Sequence, residues 1–190
     1  MNSYKTDQEN FWAGEFGNLY IDRNKSDQLM ASNLEYFSKS LKAAIGIQSV
    51  IEFGANIGMN LKALKLLRPG IALKGIEINK DAAEVLEEVI GEENVYLESI
   101  LDFVPPSKSD LVLLKGVLIH INPDALSSLY QTMYDSSNKY ILVGEYYNPS
   151  PMTINYRGHD DRLFKRDFAG DMLEKFNDLR LVDYGFAYRN

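Results

Sequence analysis

The chain has no cysteine, six prolines and a single tryptophan among its 190 residues. Without cysteine there is no disulfide framework and no thiolate metal site, and no metal centre is expected. Basic side chains are outnumbered, 20 Lys and Arg against 27 Asp and Glu, for a net charge of −7 and an isoelectric point near 4.9. That balance argues against a nucleic-acid partner, because proteins that bind a phosphate backbone present basic faces. No apolar run approaches the roughly 18 residues of a membrane span, and the N-terminus has no basic segment followed by an apolar one. No membrane partner and a cytoplasmic location are therefore expected. Repeats and low-complexity tracts are absent, and the Pro105-Pro106 pair marks a loop. A chain of this length is expected to form one domain with a substantial core.

What is present is a strand–turn–helix–strand unit. Residues 47–58, Ile-Gln-Ser-Val-Ile-Glu-Phe-Gly-Ala-Asn-Ile-Gly, read as an apolar strand that meets an acid and then a glycine-spaced turn. A helix follows from Asn60 to Leu67, with Leu61, Leu64 and Leu67 on one stripe, then a strand from Ala72 to Ile78 that carries Glu77. Gly54 permits a tight turn, and Gly58 is expected to let the helix pack close to the strand. Glu77 stands 23 residues beyond Gly54, where a carboxylate can accept both ribose hydroxyls of an adenosine.

Glu52, two residues before Gly54, discriminates between ligands. A dinucleotide site holds pyrophosphate on bare backbone N–H groups at a helix N-terminus. A carboxylate there repels a diphosphate and suits a ligand carrying an ammonium and a sulfonium, as S-adenosylmethionine does. The pattern E-x-G-x-N-x-G (Glu52, Gly54, Asn56, Gly58) resembles motif I of the class I methyltransferases, E/D-x-G-x-G-x-G. Asn56 replaces the middle glycine, and Asn enters left-handed backbone more readily than most residues. The plainer reading is a βαβ unit whose glycines only make a tight turn.

The remainder alternates as an α/β, doubly wound, Rossmann-like sheet with helices on both faces should. Helices are expected over Ser26–Leu41, Asp81–Ile90 (ended by Gly91), Pro123–Tyr134 and Phe168–Phe176. Strands are expected over Asn94–Leu97, Ser109–Lys115 and Lys139–Glu145. Leu179–Asp183 and Tyr184–Tyr188 supply apolar alternation for a closing antiparallel hairpin, but the sequence stops at Asn190. A missing terminal strand is expected, with an exposed sheet edge beside the fifth strand.

Ligands of open α/β sheets bind beyond the carboxyl ends of the strands. Ser99 and Ile100 end the third strand, and Ser99 is the candidate partner for an adenine amine. Lys115 and Gly116 end the fourth, with His120 just beyond as the candidate base. Tyr146, Tyr147 and Asn148 form a polar and aromatic patch after the fifth and are candidates for substrate contact. The Asn-Pro-Pro-Tyr signature of amino-group methyltransferases acting on DNA bases or glutamine is absent.

Two further segments stand out. Phe11 to Asn24 (FWAGEFGNLYIDRN) holds the only tryptophan and shows no helical period. Either it packs on the surface as an arm, or it is a lid in which Trp12 or Tyr20 covers the ligands and Arg23 reaches a carboxylate. Excluding water from a sulfonium centre strengthens its attraction for a nucleophile. Residues 1–25 are thus set apart from a globular body over 26–190. Tyr156 to Asp167, expected to be a loop after the fifth strand, is either part of a substrate wall in which Arg157 and Arg162 could grip a carboxylate or phosphate bidentately and His159 could meet the substrate, or merely a solvated charged loop.

FWAGEFGNLYIDRN, IEFGANIGMNLKAL, GIEIN, KGVLIHINPD and YRGHDDRLFKRDFAG, in that order, resemble the methylases associated with pseudaminic acid biosynthesis. The resemblance implies S-adenosylmethionine as cofactor and a role in surface-sugar metabolism, without naming an acceptor; the expected partner is a small molecule, a sugar acid or its nucleotide conjugate. It also implies Glu52, Gly54, Asn56 and Gly58 around the methionine moiety, Glu77 on the ribose, and Ser99 with Ile100 beside the adenine. Ala55 and Asn60 in the turn, Ile78 beside Glu77, and Lys115 and Gly116 complete the expected cofactor set, with Trp12 and Arg23 over it. The expected reaction is in-line displacement at the S-methyl carbon, driven largely by alignment. Two alternatives are a non-catalytic S-adenosylmethionine-binding scaffold and a nicotinamide-dependent sugar oxidoreductase.

Overall fold

The computed structural model describes residues 4–21 and 25–187. Two short helices, α1 (Asp7–Ala13) and α2 (Glu15–Ile21), precede the long α3 (Asp27–Ser40). Then come β1 (Ser49–Phe53), α4 (Met59–Leu67), β2 (Ala72–Glu77), α5 (Lys80–Ile90), β3 (Val95–Leu97) and β4 (Ser109–Lys115). The chain continues through α6 (Leu126–Ser136), β5 (Ser137–Gly144), β6 (Met152–Tyr156), β7 (His159–Lys165) and α7 (Phe168–Lys175).

The first five strands form one sheet in the order β3-β2-β1-β4-β5, with every pair parallel. Side chains alternate across the sheet and divide the core in two. Val50, Leu111 and Leu113 face α3, α4 and α5 and pack with Phe37, Leu61, Leu64 and Leu86. Ile51, Phe53, Val112 and Leu114 face the other way, against Leu126, Leu129 and Met133 of α6 and Phe168 and Met172 of α7. A sheet buried on both faces requires such continuous apolar runs, which is why β4 reads SDLVLLK. Strand order reverses between β1 and β4, so a crevice opens beyond their carboxyl ends. Glu52 shares its parity with Val50, and Lys115 with Leu113, so both project toward the α3–α4 side of that crevice.

Local signals set the helix ends. Ser26 caps α3 by accepting from Leu29 N at 3.1 Å, and Asn79 caps α5 by accepting from Ala82 N at 3.0 Å. Asp167 does the same for α7, accepting from Gly170 N at 2.8 Å. Pro123 opens a 3-10 turn that leads into α6.

Three expectations are overturned. The stretch from Phe11 is helical: Thr6 and Glu9 form a reciprocal capping box that starts α1, and Trp12, Phe16 and Tyr20 recur every four residues on the side facing the body. The stretch 156–167 is an antiparallel hairpin, not a loop. Thr153 pairs with Phe164 and Ile154 with Leu163, while Arg157 (φ 51°) and Gly158 (φ 88°) make the turn. Leu179–Asp183 is no strand. It has no regular secondary structure, and Leu181, Val182, Tyr184 and Phe186 are exposed, because no neighbour among the described residues completes a ladder with it. Tyr188, the end of the expected last strand, lies outside the described residues.

Candidate active site

The turn after β1 is wound left-handed at Gly54 (φ 71°), Asn56 (φ 47°) and Gly58 (φ 77°). Its amides are already engaged. Gly54 N and Ala55 N both donate to the Ile76 carbonyl at 2.9 Å, and Gly58 N donates to the Ala55 carbonyl at 2.9 Å. Asn56 N donates to Glu77 Oε2 at 2.7 Å. A phosphate cradle needs free N–H groups, and four amides of this turn, those of Gly54, Ala55, Asn56 and Gly58, are given to carbonyls and a carboxylate.

Acceptors, by contrast, are in surplus. Glu52 is buried; Oε1 accepts from Asn60 Nδ2 at 2.6 Å, while Oε2 has no partner among the described residues. Burial pushes its carboxyl up to about 8, despite the opposing Asn60 hydrogen bond and Lys115 charge. Asn56 Oδ1 and Glu145 Oε2 are likewise buried without partners among the described residues. Lys115 Nζ turns to Asn33 Oδ1 at 3.2 Å and lies 5.6 Å from the centre of the Tyr36 ring; desolvation lowers its pKa. Tyr36 itself is pushed up to about 12 by burial and the nearby Glu145. With both carboxyls ionised, two negative charges face one ammonium. Gly116 (φ 72°) leaves open space where a side chain would stand.

Glu145 also builds the end of the crevice that carries His120. Its Oε1 accepts from Val117 N and Leu118 N at 2.9 Å each, capping the 3-10 turn Leu118–His120. Burial pushes Glu145 up to about 7, offset by those backbone donors. The turn carries His120, which is buried. Its Nδ1 lies 2.6 Å from the Arg162 carbonyl. A carbonyl only accepts, so Nδ1 carries the hydrogen and Nε2 is left as the basic nitrogen. Desolvation lowers the His120 pKa, so the ring is neutral near pH 7.

The N-terminal arm lies over this crevice. Trp12 packs on His120 with ring centres 4.7 Å apart, and Tyr156 of β6 flanks the imidazole at 5.1 Å. Asn79 Nδ2 donates to the Trp12 carbonyl at 3.2 Å and to Asn18 Oδ1 at 2.6 Å. Gln8 Nε2 ties α1 to the Asp161 carbonyl of β7 at 2.9 Å. Ile21 packs with Ile57 and Ala82 over the starts of α4 and α5. Glu9, buried in α1, accepts a short hydrogen bond from Ser99 Oγ. Two surface depressions, about 250 Å³ between α3 and α4 and about 400 Å³ between α6 and α7, include none of these residues.

No protein-family model matches the chain, and no characterised protein matches it by sequence. Solved structures do match. A methyltransferase dependent on S-adenosylmethionine from Archaeoglobus fulgidus superposes with a TM-score of 0.63 at 18% identity, covering 85% of this chain and 73% of its own. One from Leishmania major gives 0.64 at 19%, covering 88% and 70%. A sugar N-methyltransferase from Streptoalloteichus gives 0.58 at 15%, covering 83% of this chain and 66% of its own. The fold is that of the class I methyltransferases.

Within that methyltransferase fold the expected residues divide. Glu52, Gly54, Ala55, Asn56, Asn60, Glu77, Lys115, Gly116, Trp12 and His120 line or close the crevice. Glu77 is buried and accepts from Asn79 N at 2.8 Å as well as from Asn56 N; burial raises its pKa, these donors lowering it. Ile78 is half-buried beside it. Gly58 does not serve strand packing: a side chain there would strike Leu86 of α5, and Gly75 is the glycine that admits Ala55 and Leu61. Ile100 joins the α6–α7 core. Tyr20 meets Trp12 edge-on at 5.3 Å. His159, exposed, meets Phe11 edge-on at 5.1 Å.

Four candidates are not brought together with His120. Tyr146 and Tyr147 are exposed, one beneath Lys165 and the other against Phe186. Asn148 Nδ2 is held by the Ser150 carbonyl at 2.6 Å, and Arg157 is an exposed turn residue over Tyr156. Arg23 lies outside the described residues. Glu9, Asn33, Asn79, Glu145 and Tyr156 were not anticipated as site residues. Among the described residues no cluster of three His, Asp or Glu side chains could hold a metal, and no helix is long and apolar enough to cross a membrane.

Proposed function

We propose that the protein is an S-adenosylmethionine-dependent methyltransferase acting on a small sugar-type acceptor. The observation that carries this reading is the set of buried acceptor oxygens without a partner among the described residues, Glu52 Oε2, Asn56 Oδ1 and Glu145 Oε2, beneath a turn in which four amides are already engaged. Such a set fits a cationic ligand and disfavours a pyrophosphate, which speaks against the oxidoreductase alternative. When bound, the cofactor supplies a methyl group carried on positively charged sulfur. Glu52 and Glu145 provide the opposing charge, and Lys115 balances one of the two. Glu77 and Glu9 offer carboxylate oxygens for the hydroxyl and amine hydrogens of an adenosine. His120 holds its proton on Nδ1 against the Arg162 carbonyl, so Nε2 can take one from an acceptor hydroxyl or amine. Trp12 and α2 exclude water from the crevice.

The acceptor we favour is a sugar acid or its nucleotide conjugate. Support comes from the sequence blocks that resemble the pseudaminic acid-associated methylases and from a sugar N-methyltransferase among the structural neighbours. Calorimetric titration with S-adenosylmethionine and NAD in parallel, followed by mass spectrometry of reactions with sugar acids and their CMP conjugates, tests the proposal. Binding of the sulfonium ligand alone and acceptors heavier by one methylene are expected. Preferential binding of NAD refutes it, and cofactor binding with no methylated product across the panel identifies a scaffold.

A further inference from the structure

Between α1 and the β6–β7 hairpin lies a differently built aromatic cluster, in which the half-buried rings of Phe11, Trp12, Phe16 and Tyr156 pack on one another and on His120. Two buried nitrogens there have no partner among the described residues: Trp12 Nε1 and Arg162 Nε. Both belong to the same cluster. Trp12 packs on His120 with the rings tilted 57°, His120 is bonded to the Arg162 backbone, and the Arg162 guanidinium lies 5.6 Å from the centre of the Phe11 ring. Arg162 is little exposed, and its ion pair with the largely exposed Asp161 uses Nη1 at 2.6 Å. The Nε edge of the fork is left over.

We infer that this cluster receives the carboxylate of the acceptor, on Trp12 Nε1–H and the Nε edge of Arg162, with the ring of the acceptor lying against the aromatic side chains. Both orphaned groups are N–H donors that cannot accept. A hydroxyl placed between them brings a hydrogen that needs an acceptor, whereas a carboxylate only accepts and neutralises the guanidinium. The planar fork suits two carboxylate oxygens, and an aromatic-lined cleft with few directed polar groups is the usual architecture of a small-ligand site. The contrast with the β1 turn is chemical: orphaned acceptors there, orphaned donors here. The inference rests on the methyltransferase reading only for the reaction that takes place beside the carboxylate.

The test is calorimetric titration of glucuronate and N-acetylneuraminate, and of their methyl esters, with and without saturating S-adenosylhomocysteine. The acids are expected to bind roughly 10- to 100-fold more tightly than the esters, the usual span for hydrogen bonds to a charged group. Arg162→Lys, which keeps the charge and loses the fork, is expected to abolish that preference while leaving S-adenosylhomocysteine affinity unchanged; Trp12→Phe, which keeps a ring and loses the N–H, is expected to abolish the preference as well. Equal binding of acid and ester, or variants that keep the preference, overturns the inference and marks both nitrogens as water sites. Tighter binding of glucose 6-phosphate than of either acid overturns the carboxylate assignment. Acid preference without S-adenosylhomocysteine binding upholds the carboxylate site and refutes the methyltransferase reading alone.

Discussion

Replacing Glu52 by glutamine separates charge from shape at the most buried acid of the site. Without ligand, burial holds the Glu52 carboxyl at about 8, so the group is mostly protonated at pH 7. A cation seated against Oε2 favours the ionised form, and the complex must release that proton. Cofactor affinity therefore rises with pH until the solution passes the free-protein value, and is flat above it. With about 8 for the free protein and an ordinary carboxyl value in the complex, affinity increases by about one to two orders of magnitude between pH 6 and 8. Calorimetry in phosphate and in Tris, whose ionisation heats differ, counts the proton released. Glu52→Gln keeps the oxygen that accepts from Asn60, binds the cofactor more weakly at pH 8, and loses the Glu52 part of the slope. The same linkage acts on folding. A carboxyl raised from 4.5 to about 8 in the folded state binds a proton that the unfolded chain has released, so ligand-free stability falls as pH rises through that window. Thermal melts should show a decline that Glu52→Gln lessens. A flat affinity profile with no buffer-dependent heat would refute the reasoning.

The remaining predictions concern single side chains. His120→Gln should lower turnover by roughly 10²- to 10⁴-fold with cofactor affinity unchanged; the wild-type rate should rise with pH through a midpoint below the ordinary histidine value of 6.5, because burial favours the neutral ring. An equal loss of cofactor affinity, measured by titration, would place His120 in the cofactor site instead. Glu9→Ala should weaken S-adenosylhomocysteine binding by about 1.5–3 kcal/mol, and an unchanged dissociation constant would remove Glu9 from the adenosine site. Gly54→Ala should destabilise the protein by roughly 1–3 kcal/mol, since the residue has φ 71° and its Cβ would lie 2.8 Å from Val117 Cγ2; an unaltered melting temperature would contradict that.

The parallel sheet was legible because burial on both faces forces unbroken apolar strands, and Glu52 and Glu77 were legible because they interrupt such runs at the carboxyl ends. Periodicity along the arm was obscured by Gly14, which splits the four-residue spacing of Trp12, Phe16 and Tyr20 between two helices. The Thr6–Glu9 capping box was nonetheless a visible signal. The β6–β7 hairpin was hidden by an Arg157-Gly158 turn, where asparagine or aspartate before glycine is the commoner signal, and by the charges of His-Asp-Asp-Arg. Glu9 at Ser99 could not be read from spacing, since the two are 90 residues apart. Glu145 was visible as the acid ending the fifth strand, but its role is set by the backbone it caps rather than by its neighbours in sequence.

Because α1 carries both Glu9, bonded to Ser99, and Trp12, which packs on His120 between the crevice and the aromatic cluster, a single helix roofs both proposed sites. Whichever ligand enters first settles that roof, and the second finds it already in place. The two affinities are then thermodynamically linked, each ligand tightening the other by the same factor, even though their binding residues need never touch.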